Sequence, residues 1–134
     1  MLIQEEYNRD KYINQIQSWT LCADDFENGT YRKPKEKALN KKYIGYNNNY
    51  FINGFVFDID HENAVFEAYD SGLPKPNIII QNVENGHAHL LYALKAPVCK
   101  TDNARTKPLK LASLIQKGFT DRLKADRAYA DVLM

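Results

Sequence analysis

Gly54-Phe55-Val56-Phe57-Asp58-Ile59-Asp60 is the stretch on which the fold turns. Phe55, Phe57 and Ile59 alternate with Val56, Asp58 and Asp60, the period of two that marks a strand whose side chains leave on opposite faces. The bulky apolar set belongs to a core, and both aspartates share the other face. On one face of a strand, residues two apart stand about 6 to 7 Å apart at the backbone. Two ionised carboxylates at that spacing repel each other unless a cation or a proton relieves them. The pair is therefore a candidate site for Mg²⁺ or Mn²⁺, which prefer oxygen ligands. The plainer alternative is two exposed aspartates at a strand end.

The second informative stretch is Asn85-Gly86-His87-Ala88-His89-Leu90-Leu91-Tyr92-Ala93-Leu94. Asn-Gly predicts a tight turn, and Asn77 to Gln81 before it is a β-branched strand, so the two form a hairpin. In this strand His87 and His89 share a face with Leu91, while Ala88, Leu90 and Tyr92 face the other way. Two imidazoles on one face near an acidic pair suit either phosphate binding by charge-assisted hydrogen bonds or metal ligation. His61, beside the acidic pair, is a weaker candidate.

Outward from these strands, Gln4 to Ile16 reads as a helix and Trp19 to Cys22 as a short strand. Asp24 to Gly29 is a loop ending in Asn-Gly, and Asn47-Asn48-Asn49 favours a loop after Tyr43 to Tyr46. Glu62 to Tyr69 has Val65, Phe66 and Tyr69 at helical spacing, and Ser71 to Pro76 stops it. Leu109, Leu111, Ala112, Leu114, Ile115 and Phe119 mark an amphipathic helix from Thr106. A second helix is expected from Thr120 or Asp121 to the end, with Gly118 near the junction and Leu123, Ala128 and Val132 buried. The order predicts an α+β domain with a mostly antiparallel sheet and flanking helices.

A chain of 134 residues is one domain. Its 44% hydrophobic and 26% charged residues are those of a globular protein in water. No apolar run approaches the roughly 18 residues of a membrane span, and Leu2-Ile3 gives way to Gln4-Glu5-Glu6. The expectation is therefore a cytoplasmic protein with no secretory leader and no membrane partner. Cys22 and Cys99 are isolated, which predicts buried free thiols and argues against structural zinc. The net charge of +1 hides a segregation of signs. Arg32, Lys33, Lys35, Lys37, Lys41 and Lys42 form one basic stretch, and the segment after Lys95 is basic again. Basic flanks around an acidic centre suit a phosphate backbone guided to a metal site, or else are solvated helix faces.

The chain resembles the plasmid replicase family, the Rep proteins of theta-replicating plasmids of the colicin-E type, itself similar to a branch of the archaeo-eukaryotic primase superfamily. The likeness lies in Trp19 with Cys22 to Phe26, Gly29 to Arg32, Ala38-Leu39 leading to Tyr43-Ile44, Phe57 to His61, Leu73 to Pro76, Asn85 to Leu94 with Pro97-Val98, and Leu123 to Tyr129. Asn85 to Leu94 is its most specific part. Haloacid-dehalogenase-type phosphatases also carry an apolar-Asp-x-Asp, but follow it with Gly-Thr where this chain has His61-Glu62-Asn63.

The resemblance implies an RRM-like primase core that makes a short primer at a plasmid origin by metal-dependent nucleotidyl transfer. Asp58 and Asp60 would be catalytic and hold Mg²⁺ or Mn²⁺. His89 would act on the phosphates of the incoming nucleotide with help from His87, and Arg32 would join in nucleotide binding. By charge and position alone, Arg32, Lys33 and Lys37 would contact nucleic acid. Its partners would be origin DNA, nucleoside triphosphates and, by extension, a host DNA polymerase. The superfamily also needs a third acid on a later strand, and Asp102, Asp121, Asp126 and Asp131 all lack an apolar strand context. Residues 1–134 are thus expected to be the N-terminal catalytic domain of a replicase, truncated and with an incomplete site.

Two other classes compete. A rolling-circle-type nickase would use His87 and His89 for metal and need a tyrosine nucleophile, for which Tyr31 and Tyr129 are the candidates. A non-catalytic DNA-binding domain would rely on the basic flanks and on Tyr43, Tyr46 and Tyr50.

Overall fold

A computed structural model describes residues 6–25 and 27–127. Their order is α1 (Arg9–Gln15), β1 (Trp19–Ala23), β2 (Tyr31–Pro34), α2 (Lys35–Ala38), β3 (Tyr43–Ile44) and β4 (Phe51–Ile59). A 3-10 turn (Ala64–Phe66), α3 (Glu67–Asp70), β5 (Ile78–Gln81), β6 (Ala88–Cys99) and α4 (Thr106–Leu123) follow. The strands form two antiparallel sheets, ordered β2-β1-β3 and β4-β6-β5. The expected α+β class and antiparallel pairing are both present.

In the second sheet, β4 and the middle of β6 are buried on both faces, while β5 is a largely exposed edge. Phe55, Phe57, Ile59, Leu90 and Tyr92 point to a core completed by α4. There Phe57, Tyr92 and Phe119 form an aromatic triangle with centroid separations of 5.2 to 5.9 Å, and the Tyr92 hydroxyl donates to the Pro74 carbonyl at 2.6 Å. On the opposite face, Val56 and Leu91 pack in a second core with Ile16, Cys22 and Ile44. The run Leu90-Leu91-Tyr92-Ala93-Leu94 is continuously apolar because a layer covers each side of it.

Several expectations are corrected. The first helix starts at Arg9, after non-helical residues 6–8, where the Asn8 side chain caps it by accepting from the Lys11 amide at 2.9 Å; Gln4 lies outside the described residues. Tyr43-Ile44 is a strand paired with Cys22-Ala23, and the buried Thr20 hydroxyl fixes the next residue by donating to the Gly45 carbonyl at 2.9 Å. The three asparagines do form a loop. Asn47 Oδ1 accepts from the Asn53 and Gly54 amides, and Asn48 Oδ1 from those of Tyr50 and Phe51.

Phe66 and Tyr69 are exposed, and Ala64 and Ala68 take the buried side of their segment. The hairpin connection spans residues 82–87, longer than a two-residue turn, with Gly86 at φ +76°. α4 runs unbroken through Gly118 to Leu123, and Lys124 at φ +53° ends it, so no second helix starts at Thr120 or Asp121. Leu123 is buried as expected, while Ala128 and Val132 lie outside the described residues. Cys22 is a buried free thiol, but Cys99 is only half-buried, its Sγ 3.2 Å from Thr101 Oγ1. Among the described residues no helix is long and apolar enough to cross a membrane.

Gly54 sits against the β6 backbone with no room for a side chain: a Cβ there would lie 2.7 Å from the Tyr92 carbonyl oxygen. Gly54→Ala must therefore push the strands apart, with an expected loss of about 1–3 kcal/mol, read as a lowered urea midpoint. A midpoint equal to that of the parent would show that the strands have slack there.

Candidate metal and nucleotide site

The register of β4 against β6 sets Asp58 directly opposite His89, one step beyond the buried pair Val56 and Leu91, which lies on the same face. The site therefore begins where the second core ends. His89 Nε2 lies 3.1 Å from Asp58 Oδ1, with side-chain exposures of 18% and 20%. Partial burial of both groups strengthens this contact relative to a surface pair. One step further out the geometry loosens: His87 Nδ1 stands 3.9 Å from Asp60 Oδ1, and Asp60 is 59% exposed.

A third carboxylate joins them. Ligand oxygens of Asp58, Asp60 and Asp126 all lie within 4.8 Å of one another. Asp126 arrives from the turn after α4, where its amide donates to the Asp58 carbonyl at 2.8 Å. That single backbone hydrogen bond ties the acid to the end of β4. No apolar strand surrounds Asp126, so alternation alone does not mark it. The usable signal was Leu123 and Ala125, both buried, which hold the turn against the first core. His61 is apart from this cluster, 3.8 Å from Glu67.

The three basic candidates lie elsewhere in the fold. Tyr31 and Lys33 pair with Cys22 and Thr20, both fully buried, so they share the inward face of the first sheet. Arg32 pairs with Leu21 and leaves on the outer face. Lys37 is exposed on α2. The Lys33 and Lys41 ammonium groups lie 5.5 and 5.7 Å from the Tyr31 ring centroid, and Lys41 pairs with Asp24 at 3.0 Å.

Three carboxylates form a hard oxygen donor set, which fits Mg²⁺ or Mn²⁺ better than a thiophilic metal. Electrostatics agrees. The Asp60 carboxyl is raised above its ordinary value, first by loss of hydration and then by the charges of Asp58 and Asp126, with His87 opposing. A cation among these groups would remove that repulsion.

The chain matches the Replicase family over residues 15–134 and belongs to it. Its role is in replication. No curated protein and no solved structure gives a match.

A carboxyl whose pKa is raised by folding contributes stability at acid pH that is lost as the pH rises through the raised value. At pH 7 in EDTA, Asp60→Asn should therefore be at least as stable as the parent. Adding Mg²⁺ or Mn²⁺ at a hundred times Kd should stabilise the parent by about 2.7 kcal/mol, read as a raised Tm, and the variant should lose most of that gain. A parent Tm indifferent to both ions would argue against a metal among these carboxylates.

Proposed function

We propose that this replicase is a plasmid replication initiator with DNA-dependent primase activity, of the colicin-E-type Rep and archaeo-eukaryotic primase kind. The reaction is nucleotidyl transfer that makes a short primer at the origin. The observation that carries this reading is the meeting of Asp58 with His89 at 3.1 Å beside a cluster of three carboxylates. Asp58, Asp60 and Asp126 would hold a divalent ion, which when bound neutralises triphosphate charge and acidifies an attacking hydroxyl. Catalysis of this type is chiefly positioning and charge neutralisation.

In this reading Asp58 orients the His89 ring through Nε2, and His89 contacts the phosphates of the incoming nucleotide. His87, nearer solvent, assists at the outer phosphates. Lys33 on the inward face of the first sheet is better placed than Arg32 to contribute charge near this side of the second sheet. The three-stranded sheet backed by α4 serves as the RRM-like core. The nickase alternative draws less support: Tyr31 lies on a strand, its hydroxyl donating to Asp24 at 3.1 Å, and Tyr129 lies outside the described residues.

Template-dependent oligonucleotide synthesis from nucleoside triphosphates with Mg²⁺ or Mn²⁺ tests the proposal. Asp58→Ala should fall to background, and His89→Ala should lose roughly 10²- to 10³-fold in kcat, the usual cost of removing one preorganised electrostatic group. Synthesis by Asp58→Ala at the parent rate would refute the assignment.

A further inference from the structure

We propose that the outer side of α4 is a track for one nucleic-acid strand, leading to the carboxylate cluster. The inference rests on the nucleotidyl-transfer reading and adds to it a binding surface on the opposite layer from Arg32, Lys33 and Lys37. Two open depressions follow α4 and share Ser113. The first passes Lys110 and Leu114, and the second passes Lys117 and Thr120 to reach Asp126 and Arg127. Asp126 thus belongs both to the end of the groove and to the carboxylate cluster. The groove and the cluster meet at this one residue.

The lining has the chemistry of a strand-binding surface. Lys110 and Lys117 are exposed and two helical turns apart, about 10 Å along the axis. Leu114 lies between them, 68% exposed, and offers an apolar contact for a base while the ammonium groups meet phosphates. Arg127 is paired with Asp121 at 3.1 Å, but its side chain is 81% exposed. Pairs so exposed contribute little, so a phosphate can take the guanidinium over. A protein partner seated on Leu114 would have to desolvate both flanking lysines, which disfavours that occupant. A polyanion instead gains from each of them.

Fluorescence anisotropy of a labelled oligo-dT on the full chain, in EDTA across a salt series, tests the track without any catalysis. Each phosphate-contacting cation lost from a single-strand complex flattens the slope of log K against log salt by about 0.7. Lys110→Gln/Lys117→Gln/Arg127→Gln should therefore flatten it by about 2, with circular dichroism unchanged because all three side chains are exposed. Asp58→Ala should bind like the parent, which separates this claim from the polymerising one: failure of the latter appears only in primer synthesis. An unchanged slope in the triple variant overturns the track, as does a loss found instead in Arg32→Gln/Lys37→Gln. A triple variant that binds normally while Leu114→Asp alters sedimentation would make the surface a protein interface and equally overturn it.

Discussion

The antiparallel pairing of β4 with β6 is the constraint from which the candidate site follows. Phe57 opposite Leu90 and Val56 opposite Leu91 are apolar pairs on opposite faces, each facing its own core. A slip of one residue would send Phe57 and Leu90 to the wrong layer and Asp58 into an aromatic core. Burial of the apolar residues thus holds the polar ones, and the pairing of Asp58 with His89 is enforced from below by layers that take no part in any chemistry. Sites built on paired strands are held more tightly than sites on loops.

The same pairing creates an electrostatic difficulty. It delivers two carboxylates to one face, and the turn after α4 adds a third, so the Asp60 carboxyl is pushed upward. Folding at neutral pH would be no harder with Asp60 replaced by an amide. An arrangement that opposes folding and yet is fixed by a backbone hydrogen bond from Asp126 to Asp58 points to a function that needs the charge. Membership of the Replicase family supplies a context in which DNA and nucleotides are the natural counterparts.

How far this was legible in the sequence depends on how local the signal is. Alternation in Phe55 to Asp60 and His87 to Tyr92 assigned faces correctly because each strand is buried by different layers on its two sides. Tyr43-Ile44 escaped because two residues carry no period, and only their pairing with Cys22-Ala23 makes them a strand. In Glu62 to Tyr69 the helical spacing was sound but its phase was not. Asn63 at φ +62° and the 3-10 turn after it rotate the segment so that Ala64 and Ala68, small enough to sit against the sheet, face inward. Arg32 and Lys33 show the converse. Charge alone grouped them, and the pleat then separates them onto opposite faces.

Asp126 was the least legible residue, for a physical reason. Its position depends on three events in as many residues: Leu123 closes α4 in the core, Lys124 turns the chain through a left-handed conformation, and Ala125 is buried again. A positive φ at a lysine is uncommon and costs free energy, so nothing local selects it. Burial of Leu123 and Ala125 on either side must offset it. The turn therefore ends the helix, anchors its C-terminal end to the first core and ties an acid to the end of β4. A strand lying along α4 would reach the carboxylates through a segment whose position is already fixed by the core, so binding there need not order a loop first.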